Sequence, residues 1–174
     1  MNVLIFGGGS VGLGLAGFMI PAKAKVDIIA RPETAKMLQK KGLKREGIFG
    51  SENFSPDTFG VYQDIKQCPG QYDYILVCTK SFDTESAAVE LKKLPSEKKK
   101  NLFVLCHNGW GNAETFCEYF DKARVFNARI ITGFERKKPN SVNITVHADA
   151  IKMGSLFGYD KNILKPLCQT LTAG

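Results

Sequence analysis

Gly7, Gly8, Gly9, Ser10, Val11 and Gly12 spell G-x-G-x-x-G directly after the apolar run Val3, Leu4, Ile5 and Phe6. Glycines at this spacing act through what they leave out. Gly7 lets the chain turn sharply off a strand. Gly9, with no side chain, lets a pyrophosphate approach the backbone. Gly12 lets the following helix pack closely on the strand. The free N–H groups at the helix start then face the phosphates, and the helix dipole favours their negative charge. A second strand begins about 20 residues further on, as a dinucleotide-binding βαβ unit requires.

The end of that second strand chooses between cofactors. Residues 25–30 are apolar enough for a buried strand, and Arg31 follows. In a parallel sheet this position lies beside the adenosine ribose. NAD sites usually carry Asp or Glu there, to accept hydrogen bonds from the ribose hydroxyls. An arginine instead suits a 2′-phosphate and stacks on adenine. Asp27 comes too early in the strand to take the carboxylate's place. The position therefore reads as NADPH rather than NADH.

Two later strand ends carry further polar groups. Residues 72–78 form a buried-strand run closed by Thr79, Lys80 and Ser81. Residues 101–106 form another, closed by His107, Asn108, Gly109, Trp110, Gly111 and Asn112. Ligands in open α/β sheets sit at strand C-termini, so Lys80 is a candidate contact. Asn108 both donates and accepts, which suits a ribose, a carboxylate or a hydroxyl. His107 reads as a locally hydrogen-bonded histidine rather than an acid or base. Trp110 is the lone tryptophan.

These residues need a scaffold of alternating strands and helices. Helices are expected near 11–20, over 32–42 with a glycine end, over 83–94 closed by Pro95, and from about 113. Residues 42–64 read as short strands or an irregular crossover. Residues 123–131 form another strand, and 132–140 read as a polar, basic turn. Residues 141–147 and 150–154 alternate, as antiparallel strands with one exposed face do. A terminal helix is expected over 159–171, interrupted by Pro166. The pattern is an α/β, doubly wound, mostly parallel sheet with helices on both faces and a late antiparallel strand pair.

Composition narrows the function. At 174 residues, 44% hydrophobic, the chain can bury the core of one domain. No apolar run approaches a membrane span. The first strand starts at once, which argues against a signal peptide. Five cysteines without C-x-x-C suggest reduced thiols and a cytoplasmic chain. Cys106 and His107 are adjacent in a strand and point to opposite faces, so no metal site is expected. The net charge of +7 comes largely from lysines in 36–45 and 92–100. These runs read as solvated helix ends, with no nucleic-acid or membrane partner, and the charge suits a polyanionic small ligand.

Taken together, the chain resembles the Rossmann-type N-terminal domain of ketopantoate reductases (2-dehydropantoate 2-reductases) over nearly its whole length. The resemblance rests on Gly7 to Gly12, on Arg31, on Cys78-Thr79-Lys80, and on His107 to Asn112. It continues through the strands at 142–147 and 151–154. It implies reduction of the ketone of a 2-oxo acid with NADPH, on the route to pantothenate. It implies that Gly7, Gly8, Gly9, Ser10, Val11 and Gly12 hold the pyrophosphate and Arg31 the 2′-phosphate. Lys80 and Asn108 would lie toward the nicotinamide, with Asn108 near the substrate, and Phe134 would be another cofactor contact. The family's catalytic lysine and most substrate groups lie in a helical domain that follows this one, and no residue up to Gly174 matches them. The resemblance therefore implies a fragment that binds NADP(H) without turning over alone. A stand-alone NADPH-binding module, a reductase of another 2-oxo acid and a homodimeric assembly stay open.

Overall fold

A computed structural model of the protein describes residues 1–94 and 101–174. The expected helix stop at Pro95 and the lysines at 98–100 lie outside the described residues. Eleven strands and five helices succeed one another in a βαβ-rich order among the described residues.

Seven strands form the main sheet: β1 (Asn2–Phe6), β2 (Lys25–Ile29), β5 (Gly60–Tyr62), β6 (Tyr74–Val77), β7 (Leu102–Leu105), β8 (Val125–Arg129) and β11 (Lys152–Gly154). Their spatial order is β11-β8-β7-β6-β1-β2-β5. All neighbours are parallel except β11, which runs antiparallel to β8 with Met153 opposite Ala128. The chain goes from β1 to one side (β2) and later returns to the other (β6). β1 is thus the switch point of a doubly wound sheet, where open α/β sheets leave a crevice at the strand C-termini.

Alternation along β1 divides the core. Val3 and Ile5 face one layer, with α1 (Ser10–Met19), α2 (Pro32–Lys41) and α5 (Lys165–Ala173). Leu4 and Phe6 face the other, with α3 (Thr84–Leu91) and α4 (Asn112–Cys117). Period-two alternation with both faces buried is what a central parallel strand requires.

A second sheet, ordered β4-β3-β10-β9, covers the outer side of α1. Its strands are β3 (Leu43–Gly47), β4 (Glu52–Phe54), β9 (Thr132–Lys138) and β10 (Ser141–His147). α1 is therefore clamped between two sheets, and nearly all of it is buried, from Gly12 to Ala16 and at Gly17 and Met19. A helix apolar on every side can exist only in such a place. Gly14 and Gly17 make the clamp fit. A Cβ on Gly14 would run into the Phe134 ring, and one on Gly17 would come within 3.1 Å of the Arg45 side chain.

Four sequence expectations change here. Residues 132–138 form β9 rather than a turn. Their outward residues are polar, with Glu135 and Lys137 paired at 3.0 Å, while Phe134 and Arg136 share the inner face with Ile144 and Val142. Backbone pairing with β10 outweighs the local composition. The two late alternating segments are strands but not partners, since β10 joins β9 and β3 while β11 joins β8. Pro166 does not interrupt the last helix but starts it, in the first turn where the missing N–H costs nothing. Arg45, expected on a solvated basic run, is buried. It donates to the Gly17 carbonyl at 2.9 Å and to Glu52 at 2.8 Å, and lies over the Phe18 ring at 4.4 Å.

Arg45 thus ties the second sheet to α1. Arg45→Ala should lower the unfolding free energy in urea by about 2 kcal/mol, because it leaves a buried carbonyl unpaired. Glu52→Ala should cost less than about 1 kcal/mol, since the carboxylate is partly solvated. Equal effects would show that the ion pair, rather than the bond to Gly17, carries the stabilisation.

Candidate functional site

The glycine turn sits at the switch point. Gly7 has φ +117°, and a Cβ there would lie 2.9 Å from the Cys78 carbonyl carbon. Gly12 packs its Cα face onto Ile5 and the Gly7 carbonyl, where no side chain fits. The Gly7 and Gly8 N–H groups both donate to the Ile29 carbonyl, at 3.2 and 2.9 Å, which fastens the turn to β2. Gly9 differs from these three. A Cβ on Gly9 would meet nothing within 4 Å and would point into open space.

α1 begins at this turn with no side-chain cap and no acidic residue in its first turn. The first helical bond runs from the Leu13 N–H to the Gly9 carbonyl at 2.9 Å. The N–H groups of Ser10, Val11 and Gly12 thus have no intrahelical acceptor. A row of free donors, a positive helix end and an open face at Gly9 fit a phosphate or pyrophosphate group.

A cleft of about 600 Å³ opens here. Gly7, Gly8, Gly9, Ser10, Arg31 and Lys80 line it, together with Thr34, Gln63, Asp83 and Arg136. Six of the ten residues singled out from sequence therefore share one cavity. Val11 and Gly12 lie in the helical turn directly behind it. Asn108 does not line it. Asn108 sits with Trp110 and Arg129 at a separate concavity of about 410 Å³ beyond the β7 end. Phe134 packs on Gly14 along the flank of α1, against the core. Trp110 is 95% exposed.

The turn after β7 is held by its own polar groups. Asn112 Nδ2 donates to the carbonyls of Asn108 and Gly109 at 3.3 and 3.2 Å. Gly109 and Gly111 take φ of +102° and +84°, which accounts for glycine at both positions. His107 is buried between two threonines, with Nε2 3.0 Å from Thr79 Oγ1 and Nδ1 3.4 Å from Thr84 Oγ1. Burial pushes its pKa down to about 4, with the Asp83 charge pulling weakly the other way. The ring is neutral near pH 7 and links the Thr79-Lys80 turn to the Asn108 turn. Asp27 is buried in mid-strand and accepts from the Tyr72 hydroxyl at 2.7 Å, away from any ribose position. The Cys78 thiol is raised well above its ordinary range, first by its hydrogen bond with Cys106 and then by burial. A thiol held neutral in this way is a poor nucleophile.

Arg136 is the residue that sequence reading missed. Its signal was the alternation of Phe134 and Arg136 against Glu135 and Lys137, legible only once 132–138 is taken as a strand.

Fold and cleft define a Rossmann-type α/β domain with its crevice at the switch point. The chain belongs to the ketopantoate reductase PanE/ApbA family, whose model matches residues 3–158. It is 32% identical over 174 residues to a 2-dehydropantoate 2-reductase of Aquifex aeolicus (strain VF5), covering 99% of this chain and 53% of that one. The chain thus spans about half the length of this curated relative. A 2-dehydropantoate 2-reductase from Geobacter metallireducens GS-15 superposes with a TM-score of 0.88 at 20% identity, over 99% of this chain and 55% of that one. A D-mandelate dehydrogenase solved with NADH and anilino(oxo)acetate superposes with a TM-score of 0.84 at 16% identity, over 99% of this chain and 54% of that one. Among the described residues no helix is long and apolar enough to cross a membrane.

The buried His107 predicts a pH dependence. An unfolded histidine titrates near 6.5, while His107 in the fold does so near 4. Between these values the unfolded chain takes up a proton that the folded chain refuses. Stability is complete above the higher value and falls as pH falls through the window. The melting temperature should drop from about pH 7 to about pH 5, before most carboxylates protonate, and His107→Gln should flatten that drop. An unchanged slope in the variant would show that the ring is not the linked group.

Proposed function

We propose that this chain is the NADPH-binding half of a 2-dehydropantoate 2-reductase, reducing 2-dehydropantoate to pantoate in pantothenate biosynthesis. The observation that carries the cofactor reading is the cleft itself. It joins free α1 donors, an open Gly9 face and two arginines near the end of β2. Gly7 to Gly12 would hold the pyrophosphate. Arg31, the residue before Pro32 at the start of α2, would take the 2′-phosphate. Lys80 would lie along the cofactor from the β6 end. When bound, the nicotinamide would supply the hydride for the ketone carbon of the substrate.

His107 is neutral at working pH, and the described cleft residues supply binding and orientation. Acid catalysis and most of the substrate contacts are proposed to come from a following helical half, as the family resemblance implies. This chain alone then binds NADP(H) in the cytoplasm and turns nothing over. Asn108, on the far side of the His107 turn, would meet the 2-oxo acid only with that half in place. Phe134 acts by seating the second sheet on α1 and thereby shapes the cleft at one remove. The same fold in a D-mandelate dehydrogenase solved with NADH supports a second reading. In that reading this chain would serve the reduction of another 2-oxo acid, with NADH as cofactor.

Calorimetric titration separates the readings. NADPH should bind at least about tenfold more tightly than NADH, and Arg31→Ala should remove most of that preference. NADPH oxidation with 2-dehydropantoate should be absent with this chain alone. Equal affinity for the two cofactors would favour the second reading, and turnover would overturn the division between halves.

A further inference from the structure

Arg136 reaches the cleft from the sheet that covers α1, not from the strands that build the crevice. Its guanidinium is held by neutral acceptors. Nη2 donates to the Thr34 hydroxyl and to the Pro139 carbonyl, the latter at 3.3 Å, and Nε donates to the Lys138 carbonyl at 3.4 Å. No carboxylate lies within ion-pair distance of it among the described residues, and Nη1 makes no hydrogen bond there. The group is thus oriented while its charge is left uncompensated. Arginines in structural roles are usually paired with a carboxylate or stacked, as Arg45 is here.

The anchor of Arg136 locates its charge. Thr34 is buried in the first turn of α2, three residues after Arg31, and its methyl would lie 3.4 Å from a Cβ on Gly8. Arg136 is therefore fixed where the glycine turn meets the start of α2. The first bond of α2 runs from the Ala35 N–H to the Arg31 carbonyl at 2.9 Å, so the Glu33 and Thr34 N–H groups lack intrahelical acceptors. Arg31 and Arg136 both line the cleft beside the start of α2, whose first turn also carries Glu33, and Asp83 and Glu90 line the cleft as well. Ribose hydroxyls need an acceptor at such a place, whereas a phosphate dianion needs donors and positive charge.

We propose that Arg136 is a second specificity-determining residue for the 2′-phosphate of NADP(H), gripping it from the β9 side while Arg31 grips it from the α2 side. The proposal rests on the NADPH reading above and deepens it. It also gives the second sheet a role beyond covering α1, since that sheet completes the phosphate site.

The test measures dissociation constants by calorimetry for NADPH, NADH, adenosine 2′,5′-bisphosphate and 5′-AMP. The proteins are the wild type, Arg136→Ala, Arg136→Gln and Arg31→Ala. Arg136→Gln keeps a donor for Thr34 without the charge, so it guards against a fold defect in the alanine variant. Both Arg136 variants should weaken NADPH and the bisphosphate by about tenfold, as loss of one charge-assisted contact implies. They should leave NADH and 5′-AMP unchanged. A purely structural clasp would instead weaken all four ligands alike in the alanine variant and none in the glutamine variant, which would overturn the proposal. If the wild type prefers NADPH and only Arg31→Ala abolishes that preference, Arg136 alone is excluded. If the wild type shows no preference, the NADPH reading falls and this proposal with it.

Discussion

The structure depends on burying α1 on every side while leaving its first turn open. The helix carries almost no polar surface, so it must be enclosed by the main sheet, the second sheet and α5. Its N–H groups at Ser10 to Gly12 must stay unpaired if they are to meet an anion. Both demands are met by placing the helix start at the sheet's switch point and covering the rest. Gly12 allows close approach to β1, and Gly14 and Gly17 allow it on the other side. A Cβ at Gly12 or Gly14 would collide with its cover, and one at Gly17 would press on the Arg45 side chain.

Covering the helix has consequences at the cleft. The sheet that seals α1 brings Arg45 and Arg136 flanking Val142 on its inner face, in register on neighbouring strands. Arg45 is consumed in packing against Phe18 and the Gly17 carbonyl. Arg136, on the other side of β10, reaches past the helix to the start of α2. The same strand alternation thus produces one structural arginine and one that faces the cleft. Meanwhile Cys78, which lines the cleft, and His107, beside the Asn108 concavity, are held neutral. Backbone donors and exposed cations are left to meet the ligand.

Much of this was legible in the sequence where local and tertiary demands agree. The glycine turn, Arg31 and Lys80 sit at strand ends, and strand ends follow from apolar runs bounded by polar residues. Gly7 to Ser10, Arg31 and Lys80 all line the same cavity, with Val11 and Gly12 behind it. Reading failed where backbone pairing overrode composition. Residues 132–138 carry the polar character of a turn, yet β10 recruits them as a strand, and Arg136 was hidden in that misreading. Arg45 sat in a basic run that looked solvated, because nothing local shows that a second sheet will bury it. Pro166 reads as an interruption in sequence because sequence places a helix start only to within about a turn. Asn108 and Phe134, carried over by resemblance, lie outside the cleft, on the far side of the His107 turn and on the flank of α1.

If the open first turn of α1 is the anion cradle, backbone amide chemical shifts of the isotope-labelled protein, followed as NADPH is added to saturation, should show it. The largest shifts should fall on Gly8 to Gly12, with smaller ones at Arg31, Thr34 and Lys80. The amides of β11 and α5, away from the cleft, should stay unmoved. Saturable shifts centred on the Asn108–Trp110 concavity, with the Gly8 to Gly12 amides silent, would contradict it.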